Sequence, residues 1–145
     1  MLKRVFLIPL FLVGFITSCK KATPTATSGV PNVAVSASID VDNGLYVALL
    51  NVGGWEYLSG GYDGLIVFCN SPTPTYLAFD RGCPYDCESN SKAIINVQAG
   101  GITAVCPVCG TTYSLYSGTV TKGPGSIALK QYTATYTDPY VNISN

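Results

Sequence analysis

Four cysteines in two short runs carry the strongest chemical signal: Cys83-Pro84-Tyr85-Asp86-Cys87 and Cys106-Pro107-Val108-Cys109-Gly110. Eighteen residues separate Cys87 from Cys106. Two thiolates from each of two loops suit a metal that accepts four sulfurs, and both zinc and iron do so. Pro84 and Pro107 stiffen the loops by fixing φ, and Gly110 frees the backbone after the last thiol. In an oxidising compartment the same thiols pair as disulfides. The spacing leaves three states open: an iron-sulfur cluster, a single zinc or iron ion, or two disulfides with no metal.

The rest of the chain narrows the chemistry. It contains no histidine, so a Ser-His-Asp or Cys-His catalytic group cannot be built. Any metal must take thiolate, carboxylate or phenolate. No other acid-base or nucleophilic set stands out, so a carrier or binding module is expected rather than a catalyst. Lys3 and Arg4 precede an apolar run over residues 5–16 that closes on Ile16-Thr17-Ser18-Cys19. A basic start, a short apolar run and small residues before a cysteine resemble a bacterial lipoprotein leader, which implies cleavage before Cys19 and a lipid on its thiol. Lys20 rather than Asp follows, so a lipid anchor in the bacterial cell envelope, on the outer membrane, is expected. Removing Lys3 and Arg4 from eight basic residues leaves six against eight acidic, a net charge near −2. No clustered basic face suggests nucleic-acid binding.

The expected organisation is a signal peptide over residues 1–18, a Thr/Ala/Ser/Pro-rich membrane tether over 19–32 and one domain over 33–145. Val33, Val35, Ala37 and Ile39 alternate as one face of a strand. The apolar stretch 45–52 is expected to be strand with irregular ends. Leu65-Ile66-Val67-Phe68-Cys69 reads as a buried strand in which Cys69 is a small hydrophobe. Residues 75–79 deliver the chain to the first cysteine loop, and a hairpin about Ala99-Gly100-Gly101 delivers it to the second. Further strands are expected at 112–116, 119–120, 129–137 and 140–143, with Tyr132 and Tyr136 on one face. Nothing shows a helical period over ten residues. Short strands between Gly, Pro and Asn turns indicate an all-β antiparallel sandwich or small barrel. Asp80 and Arg81 are expected to form an exposed ion pair worth ~0–1 kcal/mol, and Tyr85 to cover its loop tip.

Ala78-Phe79-Asp80-Arg81-Gly82-Cys83-Pro84, then Val105-Cys106-Pro107-Val108-Cys109-Gly110-Thr111-Thr112-Tyr113-Ser114-Leu115-Tyr116-Ser117-Gly118-Thr119-Val120 and Lys122-Gly123-Pro124, resemble the Rieske [2Fe-2S] domain over about residues 60–143. That family has Cys-x-His in its first loop and Cys-x-x-His in its second. The resemblance puts Cys83 and Cys106 at the two cysteine ligands of one iron. The histidine positions fall on Tyr85 and Cys109. Tyrosine is a poor cluster ligand, and Cys87, two residues on, is the candidate to replace it. The resemblance implies electron transfer through a [2Fe-2S] cluster on Cys83, Cys87, Cys106 and Cys109, at a low potential because every ligand is anionic. It also implies a redox protein partner. The competing expectation is a non-redox envelope module whose loops hold zinc or disulfides.

Overall fold

Residues 65–69 alternate between two interiors. Leu65, Val67 and Cys69 enter one buried cluster, and Ile66 and Phe68 enter another. A strand apolar on both faces must be covered on both faces, and the molecule is built around that requirement. The structure, a computed structural model, describes residues 29–73 and 75–145. The apolar leader, Cys19 and the tether up to residue 28 lie outside the described residues.

Among the described residues ten strands form: β1 Ser36–Asp40, β2 Trp55–Leu58, β3 Leu65–Ser71, β4 Thr75–Asp80, β5 Asn96–Val97, β6 Thr103–Val105, β7 Thr112–Ser114, β8 Val120–Lys122, β9 Gln131–Thr137 and β10 Tyr140–Ser144. One sheet has the order β1-β10-β9-β4-β3-β2 and the other β5-β6-β7-β8. Every pairing is antiparallel, as the sequence indicates. Val35 and Ile39 of the alternating first stretch are buried, and Tyr132 and Tyr136 turn to the same core. The second core lies with the four-stranded sheet. It contains Phe68, Phe79, Tyr113 and Leu115 together with Cys83 and Cys106. The candidate ligands are therefore part of a packed interior.

The stretch expected as strand at 45–52 is instead a short 3₁₀ segment, Gly44–Leu50. The Asn43 side chain accepts a hydrogen bond from the Leu45 amide at 3.1 Å and starts the turn. Only Leu49 of the segment is fully buried, while Leu45, Val47 and Leu50 stay exposed. An apolar run that buries one position per few residues satisfies a helical turn better than a pleat. Among the described residues no helix is long and apolar enough to cross a membrane.

Asp80 and Arg81 do not form the expected exposed pair. Successive residues on a strand point to opposite faces, and the two side chains find different partners. Arg81 lies 3.8 Å over the Tyr57 ring and donates to the Ile95 carbonyl at 3.1 Å. Asp80 is fully buried. Its carboxylate accepts from the amides of Tyr62 at 2.7 Å, Asp63 at 3.3 Å and Gly82 at 2.8 Å, and from the Tyr132 hydroxyl at 2.7 Å. It thereby fixes the exit of β4 into the first cysteine loop. Asp80→Ala leaves the Gly82 amide and the Tyr132 hydroxyl buried and unpaired, so urea unfolding should show a loss of at least about 2 kcal/mol. Asp80→Asn, which keeps one acceptor oxygen, should lose less.

Candidate metal centre

The first loop leaves β4 through a bridge between Gly82 and Ile94. The Cys83 amide donates to the Ala93 carbonyl at 3.0 Å. A tight turn follows, in which the amides of Asp86 and Cys87 both donate to the Cys83 carbonyl, at 3.1 and 2.9 Å. The second loop closes the β6–β7 hairpin, with the Cys106 amide donating to the Thr111 carbonyl at 2.9 Å. The Gly110 amide returns to the Cys106 carbonyl at 2.9 Å, and Gly110 takes a φ of +73°, which favours glycine. Behind this loop, Gly123 packs so closely on Thr111 that a Cβ there would meet the Thr111 backbone. The Lys122-Gly123-Pro124-Gly125 turn is thus a buttress for the second loop.

The two loops converge. The sulfurs of Cys83, Cys106 and Cys109 and a carboxylate oxygen of Asp86 all lie within 4.8 Å of one another. Cys83 and Cys109 Sγ are 3.7 Å apart. Cys83 and Cys106 are fully buried and Cys109 partly so. Three of the four expected ligands therefore meet. Cys87 lies outside the group and donates its thiol to the Gly29 carbonyl at 3.2 Å. The five cysteines of the described residues are free thiols. Cys69 is buried in β3, and burial raises its pKa. Tyr85 is exposed at its loop tip.

Asp86 enters the group without having been singled out by residue type. Its Oδ2 is buried and has no hydrogen-bond partner among the described residues. An unpaired buried acceptor costs about 1–3 kcal/mol, and more when charged, so this oxygen stands where a cation would satisfy it. Two neighbours also escaped the sequence reading. The Cys109 thiol donates to Thr111 Oγ1 at 3.1 Å, and that buried hydroxyl also accepts from the Gly125 amide at 3.0 Å. The Tyr113 hydroxyl lies 3.6 Å from Cys83 Sγ and is poised to donate to a thiolate there.

Burial holds the protons on the Cys87, Cys106 and Cys109 thiols in the metal-free chain. Burial pushes the Cys106 thiol up to about 12, although the amides of Val108 and Cys109 face its sulfur and act in the opposite direction. Burial likewise pushes Cys87 up to about 11 and raises Cys109 and Tyr113. The ordinary thiol value is 9.0. In the metal-free chain an unfolded Cys106 ionises near that value while the folded one keeps its proton to about 12. This contribution to stability is full below pH 9 and is lost as pH rises towards 12. The urea midpoint of the metal-free protein should therefore fall between pH 8.5 and 11 (about the span over which unfolded thiols ionise). A midpoint that is flat or rising would contradict it.

No family model matches the chain, and no curated protein matches it by sequence. Solved structures do. The plasma-membrane Rieske protein of the cyanobacterium Synechocystis PCC 6803 superposes with a TM-score of 0.53 at 17% identity, covering 79% of this chain and 99% of that one. A chain from the complex of reduced oxygenase and oxidised ferredoxin in carbazole 1,9a-dioxygenase gives a TM-score of 0.51 at 14% identity, covering 79% and 94%. These likenesses establish the architecture: the described domain has a Rieske-type fold, with its cysteine-bearing loops meeting at one buried point.

Proposed function

We propose that this chain is an electron-transfer domain whose redox centre is an iron-sulfur site held between the two loops. One observation carries the reading: three sulfurs and a carboxylate oxygen, drawn from both loops of a Rieske-type fold, lie within 4.8 Å of one another. The donor set fits iron, since thiolates hold iron-sulfur clusters and no histidine is present to supply imidazole. Cys83, Cys106 and Cys109 are the thiolates that would hold the group, which supplies reversible one-electron transfer when bound. The chain's own residues bury the sulfurs, aim the Val108 and Cys109 amides and the Tyr113 hydroxyl at them, and keep water from the inner face. Exposed Tyr85 and Val108 cap the two loop tips and are the surface offered to a redox protein.

The membrane attachment belongs to the same proposal. Gly29 lies against the first loop, where a Cβ would run into the Pro84 carbonyl, and its own carbonyl accepts the Cys87 thiol. Val30 is buried, and Lys130 Nζ donates to the Pro31 carbonyl at 2.7 Å. If Cys19 carries the lipid, only the ten steps from Cys19 to Gly29 separate the anchor from the loop. That is at most about 36 Å of extended chain. The centre would then work close to the envelope membrane, within reach of a partner on that surface.

A second reading has one observation in its favour. A tetrahedral ion with metal–sulfur bonds of ~2.3 Å spaces its sulfurs about 3.8 Å apart, and Cys83 and Cys109 are 3.7 Å apart. A single zinc ion on these donors would make a colourless structural module on the same fold. Iron, zinc and acid-labile sulfide content of the purified full chain separate the two. Iron with an equal amount of sulfide is expected. One zinc and no sulfide would replace the electron-transfer reading with the structural one, and no metal would overturn both.

A further inference from the structure

We propose that Asp86, and not Cys87, supplies the fourth ligand, so that the centre is a three-thiolate, one-carboxylate site. The inference rests on the metal-centre reading above and deepens it. Its ground is a correspondence between the two loops. In the second loop the donors are Cys106 and Cys109, three residues apart, and the next residue, Gly110, returns its amide to the Cys106 carbonyl at 2.9 Å. In the first loop Cys83 and Asp86 are three residues apart, and the next residue, Cys87, returns its amide to the Cys83 carbonyl at 2.9 Å. Asp86 therefore stands where Cys109 stands, and Cys87 stands where Gly110 stands. The two loops share this donor spacing and this one closing hydrogen bond, although Gly110 takes a φ of +73° and Cys87 does not take a positive φ.

The side chains agree with the backbone. Asp86 turns a carboxylate oxygen into the group of sulfurs, and its Oδ2 is buried without a partner. Cys87 turns the other way, onto the Gly29 carbonyl. Moving its sulfur among the donors would break that hydrogen bond, and the segment that carries Gly29 is fastened by buried Val30 and by Lys130. Cys87 is thus a positioning residue that clamps the incoming chain across the first loop. Asp86 is chemically competent for the ligand role, since zinc and iron both accept carboxylate oxygen, at ~2.0–2.2 Å for zinc.

The test is X-ray absorption at the metal edge of the metal-loaded full chain, with metal content measured beside it. The wild-type protein should show an oxygen scatterer at ~2.0–2.2 Å together with sulfur. Asp86→Cys should convert that oxygen to sulfur while keeping metal, which shows that the position itself lies within ligand distance. Asp86→Ala should weaken metal binding at least tenfold, the lower end of what is lost when even a ligand's supporting partner is removed. Cys87→Ser should keep both the shell and the metal content of the wild type. An all-sulfur shell in the wild type, or a sulfur lost in Cys87→Ser while Asp86→Ala is unchanged, would overturn the assignment and leave the metal-centre reading standing. A wild-type chain that holds no metal would overturn both.

Discussion

The structure depends on bringing two loops from different sheets to one buried point and holding them there. Neither loop can do this alone. The first is carried by β4, a central strand of the six-stranded sheet, and the second by the β6–β7 hairpin of the four-stranded sheet. Cys83 and Cys106 end up inside the same core as Phe79 and Tyr113. Polar or ionisable groups in such a place are costly unless something satisfies them. Protein groups satisfy part of the demand: the Val108 and Cys109 amides, the Thr111 hydroxyl and the Tyr113 hydroxyl. The Asp86 oxygen stays unpaired. A cation between the loops would satisfy it and would join the two sheets at a point where they otherwise meet through packing and weak thiol contacts.

The supports of the site are spread through the whole domain. Asp80 locks the exit of β4 by gathering donors from the turn at Tyr62 and Asp63, from Gly82 and from β9 through Tyr132. The Gly-Pro turn after β8 presses on Thr111 and steadies the second loop. The chain entering the domain crosses the first loop and is held by Cys87. The supports at Asp80 and at Gly123 act on loop backbone rather than on a sulfur, so donor chemistry can change while that scaffold remains. A Rieske-type fold without histidine is what such a separation allows. On the proposed reading, replacing imidazole with anionic donors stabilises the oxidised centre and lowers its potential.

Much of this was legible in the residues. The apolar run 65–69 announced a strand buried on both faces, and the hairpins that carry Cys106 followed from Gly-rich turns between alternating residues. The convergence of the two cysteine loops followed from their paired spacing. What escaped had a physical reason in each case. The 45–52 stretch is apolar and short, and such a run does not distinguish a pleat from a turn. Its 3₁₀ form rests on the Asn43 cap and on the burial of Leu49 alone. Asp80 looked like half of a surface pair because its partners are amides and a tyrosine distant in sequence, which no local pattern reveals. Residue type pointed to Cys87 as the fourth donor and did not single out Asp86, whose carboxylate the structure groups with the other three. The signal that would have found Asp86 was present: Cys83-x-x-Asp86 repeats the spacing of Cys106-x-x-Cys109.

A dye-mediated redox titration of the purified full chain, followed by visible absorbance, shows whether the loops hold a reversible redox centre with anionic ligands. The expected result is colour that bleaches and returns with one electron, at a midpoint close to the plant-type ferredoxins, about −400 mV, and below the roughly −150 to +300 mV of histidine-ligated centres. A colourless protein with no reversible transition would contradict it.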